Sequence, residues 1–165
     1  MKNINNKCVL VALIVMLLST NANAQISKAE IRATGLTCSM CSNAINKQLK
    51  TLPEVVNVDT DLNTNTFTIT LKEGNTLNPK VFKDKVEKAG FFIGSLVLIT
   101  KSETINQSAY VLVNKAVNTA SEIQIQVLDK GYVTEKEFKK LSKSFKNVVS
   151  YGLNNEDDFH IKILN

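Results

Sequence analysis

Gly35-Leu36-Thr37-Cys38-Ser39-Met40-Cys41 joins two stretches of different periodicity. Before it, Ala29-Glu30-Ile31-Arg32-Ala33 alternates apolar and charged residues, as a half-buried strand does. After it, Ala44, Ile45, Leu49 and Leu52 recur near the helical period. The glycine and Thr37 turn the chain between the two. Cys41 then falls in the first turn of the expected helix, and Cys38 in the loop just before it.

The neighbouring elements follow from punctuation and patterning. Pro53 stops the first helix. Val55-Val56-Asn57-Val58-Asp59 reads as a strand and Asn63-Thr64-Asn65 as a turn. Phe67, Ile69 and Leu71 alternate with threonines, which predicts a second half-buried strand. Glu73-Gly74-Asn75 breaks it, and Asn78-Pro79 offers a helix cap followed by a first-turn proline. Phe82, Val86 and Ala89 form the apolar stripe of that helix, and Gly90 suits its left-handed end. Leu96-Val97-Leu98-Ile99 is a continuous apolar strand. The fold class is α+β, in the ferredoxin-like order βαββαβ, with two helices over one face of a four-stranded antiparallel sheet.

The chemistry of the central stretch is that of soft ligands. Thiolates select Cu(I), Zn(II) and other soft ions, and two intervening residues let both sulfurs converge on one ion. The helix N-terminus brings partial positive charge and free N–H groups, which favour thiolate over thiol. Two sulfurs suit the linear preference of Cu(I) or Hg(II) but leave Zn(II) short of its usual four ligands. Cu(I) through Cys38 and Cys41 is therefore the expected occupant, with Hg(II), Zn(II) or Cd(II) as other soft candidates. A low coordination number also suits transfer, because an incoming thiolate can add before another leaves. Met40 reads as a surface or partner contact rather than a ligand. His160, the only histidine, is distant in sequence and lacks clustered partners, so it is not expected to bind metal.

Residues 1–24 read as a secretory signal peptide. Lys2 and Lys7 precede an unbroken apolar run, Val9 to Leu18, and Ala22-Asn23-Ala24 fits small-residue cleavage before Gln25. The run is short against the roughly 20 residues of a membrane-spanning helix. Cys8 would be lost with the leader, and no stable membrane insertion is expected after cleavage. Removing the two lysines lowers the formal charge from +5 to +3, scattered among acids, which argues against a nucleic-acid partner. The expected compartment is the periplasm of a Gram-negative bacterium, or otherwise the exterior. Export leaves the cysteine pair free to oxidise.

Residues 29–100 resemble the heavy-metal-associated domain of copper chaperones, of the front of copper-pumping ATPases and of the periplasmic mercury-binding protein. Three landmarks carry the resemblance: the cysteine stretch itself, Leu52-Pro53-Glu54-Val55 after the first helix, and Glu87-Lys88-Ala89-Gly90-Phe91 at the end of the second. Two positions depart from the family. Leu36 stands where methionine is usual, a volume-conserving swap under the metal loop. Glu54 replaces a glycine in a turn. The resemblance implies metal ligation by Cys38 and Cys41, a shielding or packing role for Phe91, and a metal-transporting membrane protein or another carrier as partner.

The remainder divides into a polar linker or loop at 101–108 and a small β-rich region at 109–165, after the domain at 25–100. Tyr110-Val111-Leu112-Val113 and the alternation of Ile123, Ile125 and Val127 read as strands. Thr134-Glu135-Lys136-Glu137 is a capping box, with Phe138, Leu141 and Phe145 on the buried side of its helix. Val148-Val149-Ser150-Tyr151 and Phe159 to Ile163 are expected to close a hairpin, giving ββαββ and an OB-like barrel. About 60 residues make a marginal independent fold, so this region is expected to pack on the first domain or share its last strand. Catalytic residues are not evident in it: Asp157-Asp158 reads as turn chemistry, and no histidine stands beside a nucleophile in the sequence. The expected function is an exported Cu(I) carrier and not an enzyme. The alternatives are a thiol-disulfide redox protein using the same pair, or a partner-binding module with a structural disulfide. Thioredoxin-like sites usually place aromatic and proline residues around the pair, whereas Pro53 and Pro79 punctuate helices.

Overall fold

Strand β1 spans nine residues, Ile26–Thr34, four more than the alternating stretch Ala29 to Ala33. The computed structural model describes residues 26–106, 108–114, 120–153, 155 and 157–164. The leader at 1–24 and Cys8 lie outside the described residues. Helix α1 (Ser39–Leu49), β2 (Val55–Asp61), β3 (Thr66–Leu71), helix α2 (Pro79–Lys88) and β4 (Phe92–Lys101) follow in the βαββαβ order. Strand order in this part is β2-β3-β1-β4, all antiparallel.

Helix ends fall where local chemistry puts them. The Asn78 side chain accepts from the Val81 N–H at 3.4 Å, and Pro79 begins α2. Gly90 at φ +88° reverses the chain, and the Phe91 N–H then donates back to the Val86 carbonyl at 3.2 Å. Ile45 and Leu49 of α1 and Phe82 and Val86 of α2 are buried in the same core as Ile31, Phe67, Ile69, Leu96 and Leu98. Period 3.6 on the helices meets period 2 on the strands.

β4 does not end the sheet. It pairs on its other side with β6 (Glu122–Val127), which pairs with β7 (Phe159–Leu164), and β7 pairs in parallel with the short β5 (Tyr110–Leu112). The full order is β2-β3-β1-β4-β6-β7-β5. Register partners Val58, Ile69, Ala29, Leu98, Ile125 and Ile163 form one buried row through six strands. Apolar burial therefore runs without a break from the first part of the chain to the last.

Three expectations for the second part change. The described strands make one open sheet, not a closed OB-like barrel, because β6 adds to the free edge of β4. Val148–Tyr151 form turns rather than a hairpin strand. Their N–H groups close local turns, Val148 to the Phe145 carbonyl and Tyr151 to the Val148 carbonyl, while the Tyr151 hydroxyl donates to the Leu128 carbonyl at 2.8 Å. Within 101–108, Ser102–Asn106 form a 3₁₀ turn, anchored by the buried Thr100–Thr104 hydroxyl pair at 2.8 Å. Helix α3 (Glu135–Ser144) is capped by Thr134, which accepts from the Glu137 N–H at 3.2 Å. Its apolar side is only half-buried, with Phe138 and Phe145 packed on the Tyr151 ring.

Gly94, in β4, marks a close approach. A Cβ there would sit 2.6 Å from the Thr34 methyl and 3.3 Å from the Arg32 carbonyl. Gly94→Ala is expected to cost about 1–3 kcal/mol through overpacking, read by chemical denaturation. A loss below a few tenths would show that β1 yields freely at the end that carries the cysteine loop.

Candidate metal centre

Strand β1 ends at Thr34, and the chain must reverse to start α1 above the sheet. Gly35, at φ +84°, makes that reversal. A β-carbon there would lie 4.0 Å from the Phe91 ring, ordinary contact, so φ rather than space requires glycine. Leu36 and Phe91 are partly buried against the core, which seats the loop from below.

Cys38 is the N-cap of α1, at φ −156° and ψ 162°, and its side chain makes no capping hydrogen bond. The helix is instead started by the Cys38 carbonyl, which accepts from the Cys41 N–H at 3.1 Å and the Ser42 N–H at 3.5 Å. Ser42, Ile45 and Leu49 bury the other side of the helix. The Cys38 sulfur is exposed and that of Cys41 half-buried. Both are free thiols, with the Sγ atoms 3.0 Å apart.

Electrostatics favour thiolate at Cys41. Hydrogen bonding from Cys38, then from the Thr37 backbone, holds its thiol below the ordinary value and outweighs partial desolvation. The first turn of α1 contains no acidic residue, so no local carboxylate offsets its positive end. A lowered thiol pKa weakens the proton's competition with a metal ion.

The remaining expected residues fall in different places. Met40 is 80% exposed at the loop's outer surface. Among the described residues, no group of three or more His, Cys, Asp or Glu side chains is arranged to hold a metal. His160 is buried far along the chain, with Nδ1 2.7 Å from Asp129 Oδ1 and Nε2 2.8 Å from Ser150 Oγ. Both ring nitrogens are engaged there, away from the cysteines. Sequence reading gave no account of Phe92, which is 67% exposed beside the buried Ile93. Its only signal was the doubled phenylalanine after Gly90.

Residues 30–92 match the family model of the heavy-metal-associated domain. The chain belongs to this family. Solved structures of similar chains include the yeast copper transporter domain Ccc2a in apo and Cu(I)-loaded states, at 34% identity, covering 39% of this chain and 86% of that one, TM-score 0.35. Another is the N-terminal domain of a potential copper-translocating P-type ATPase from Bacillus subtilis in the Cu(I)-loaded state, at 28% identity, covering 41% and 81%, TM-score 0.35. No curated protein matches the sequence. In this heavy-metal-associated domain Glu54 sits in the turn before β2, where its carbonyl accepts from the Lys72 N–H at 2.8 Å.

Proposed function

We propose that this protein binds one Cu(I) ion between Cys38 and Cys41 and passes it on by thiolate exchange. The observation that carries the reading is the free thiol pair at 3.0 Å on a helix N-terminus, with Cys38 exposed and Cys41 half-buried. Membership of the heavy-metal-associated family and the Cu(I)-loaded states of the yeast and Bacillus domains support it.

Transfer follows from exposure. On the scale of a zinc–thiolate bond, about 2.3 Å, two sulfurs across a linearly held ion stand well beyond 3.0 Å. The pair must open to load, and the exposed Cys38 is the side chain free to swing. An incoming thiolate adds to the ion, a three-sulfur intermediate forms, and Cys38 then leaves before Cys41. The partner is a metal-transporting membrane protein or another carrier, met outside the cytoplasm after export through the leader at 1–24. Hg(II), Zn(II) and Cd(II) are competitors for the same two sulfurs.

The 3.0 Å separation also favours a second reading, thiol-disulfide exchange, in which the pair forms one S–S bond as a partner's disulfide takes up the two electrons and two protons and opens to two thiols. Equilibrium competition for Cu(I) between the reduced full chain and a chromogenic chelator separates the two. One tightly held equivalent is expected. Failure of the fully reduced chain to hold copper would overturn the carrier reading and leave exchange as the use of the pair.

A further inference from the structure

Asp129, Ser150 and His160 are spread over more than thirty residues, in the stretch after β6, the turn after α3, and β7. The fold brings them into one chain of hydrogen bonds. Asp129 Oδ1 lies 2.7 Å from His160 Nδ1, and Asp129 Oδ2 accepts the His160 backbone N–H at 2.6 Å. His160 Nε2 lies 2.8 Å from Ser150 Oγ. The carboxylate thus fixes the ring's position and its tautomer, with the proton on Nδ1 and the Nε2 lone pair facing the serine hydroxyl. Tyr151 packs edge-on to the imidazole at 5.0 Å between centroids and is itself held by its hydroxyl on Leu128. The ring is 2% exposed, whereas Ser150 is half-exposed. A hydroxyl within hydrogen-bond reach of a base that a third group orients is the arrangement of an activated serine.

The turn that carries Ser150 also carries two solvent-facing apolar side chains, Val149 at 87% and Leu153 at 71% exposure. They offer a surface for a short apolar acyl group. We infer that Ser150, with His160 as its base and Asp129 as positioning residue, forms a nucleophilic site for small apolar acyl esters, independent of the cysteine pair. In the first step the Ser150 oxygen bonds to the ester carbonyl carbon, its proton passes to His160 Nε2, and the alcohol leaves with that proton. Water then adds to the acyl-serine through the same base, and the carboxylic acid departs with Ser150 restored. No metal or redox partner enters the balance.

The same hydrogen bonds also fasten β7 to the turn after α3, so the test must separate reactivity from packing. The reduced full chain is treated with a fluorophosphonate probe, and the modified serine is located by mass spectrometry. Phosphonylation forms the Oγ–P bond and expels fluoride, so it reports the nucleophile without an acyl substrate. Preferential labelling of Ser150 over the exposed Ser144 is expected, falling at least about 100-fold in Asp129→Asn. p-Nitrophenyl butyrate turnover is expected to fall by a similar factor in Ser150→Ala, whose half-exposed position tolerates the change. Labelling of Ser150 no faster than of Ser144 in the wild type would overturn the inference even if every variant misfolds. So would labelling that ignores Asp129→Asn in a folded chain.

Discussion

Cys38→Ser and Cys41→Ser are each expected to lower Cu(I) affinity by more than about 100-fold, and the double variant to hold no tightly bound copper. Loss of a mere hydrogen-bond partner around a metal commonly costs roughly 10–100-fold, and removal of one of two thiolates must exceed that. A hydroxyl is a hard, weakly acidic substitute with little affinity for Cu(I). Among the described residues no third side chain stands by to replace the lost sulfur. Cys8 is present in every variant of the full chain, so the difference reports the pair alone. Chelator competition measures it. The fold should survive, because both thiols lie at the surface and the helix is started by the Cys38 carbonyl rather than its side chain.

Phe82→Ala is expected to cost about 3–5 kcal/mol, the range for a large aromatic removed from a sealed core. Phe82 is fully buried, on the helix whose Val86 carbonyl receives the Phe91 N–H. A cavity there loosens the contact on which Phe91 and Leu36 seat the cysteine loop, so copper affinity should fall with stability. The buried row through six strands adds a second expectation. Urea unfolding followed near the cysteine loop and near Tyr132 or Tyr151 should give coincident transitions, displaced together in the variant. A cost below about 1 kcal/mol, or two separated transitions, would contradict the packing described for β4 and β6.

The first part of the fold was legible because local and long-range demands agree there. Phe67, Ile69 and Leu71 alternate, Ile45 and Leu49 keep helical spacing, and Pro53, Asn78-Pro79 and Gly90 mark helix ends. The continuous apolar run marks only Leu96 to Ile99 of β4, whereas the strand spans Phe92–Lys101 and includes Gly94, a point of close approach to Thr34 and Arg32. Val148-Val149-Ser150-Tyr151 has strand composition but forms turns. Tertiary hydrogen bonds to Leu128 and His160 outrank β-propensity, and Val149 is left in solvent. The closeness of Cys38 and Cys41 was legible from their spacing, since they are three residues apart at the start of α1. The link between Asp129, Ser150 and His160 was not, because only the pairing of β6 with β7 and the turn after α3 bring them within 3 Å.

Copper K-edge X-ray absorption of the reduced chain carrying one equivalent of Cu(I) tests the central claim most directly. The account predicts a first shell of two sulfurs without nitrogen, and its disappearance in Cys38→Ser/Cys41→Ser. A shell containing nitrogen or oxygen ligands, or a spectrum unchanged in the double variant, would contradict it.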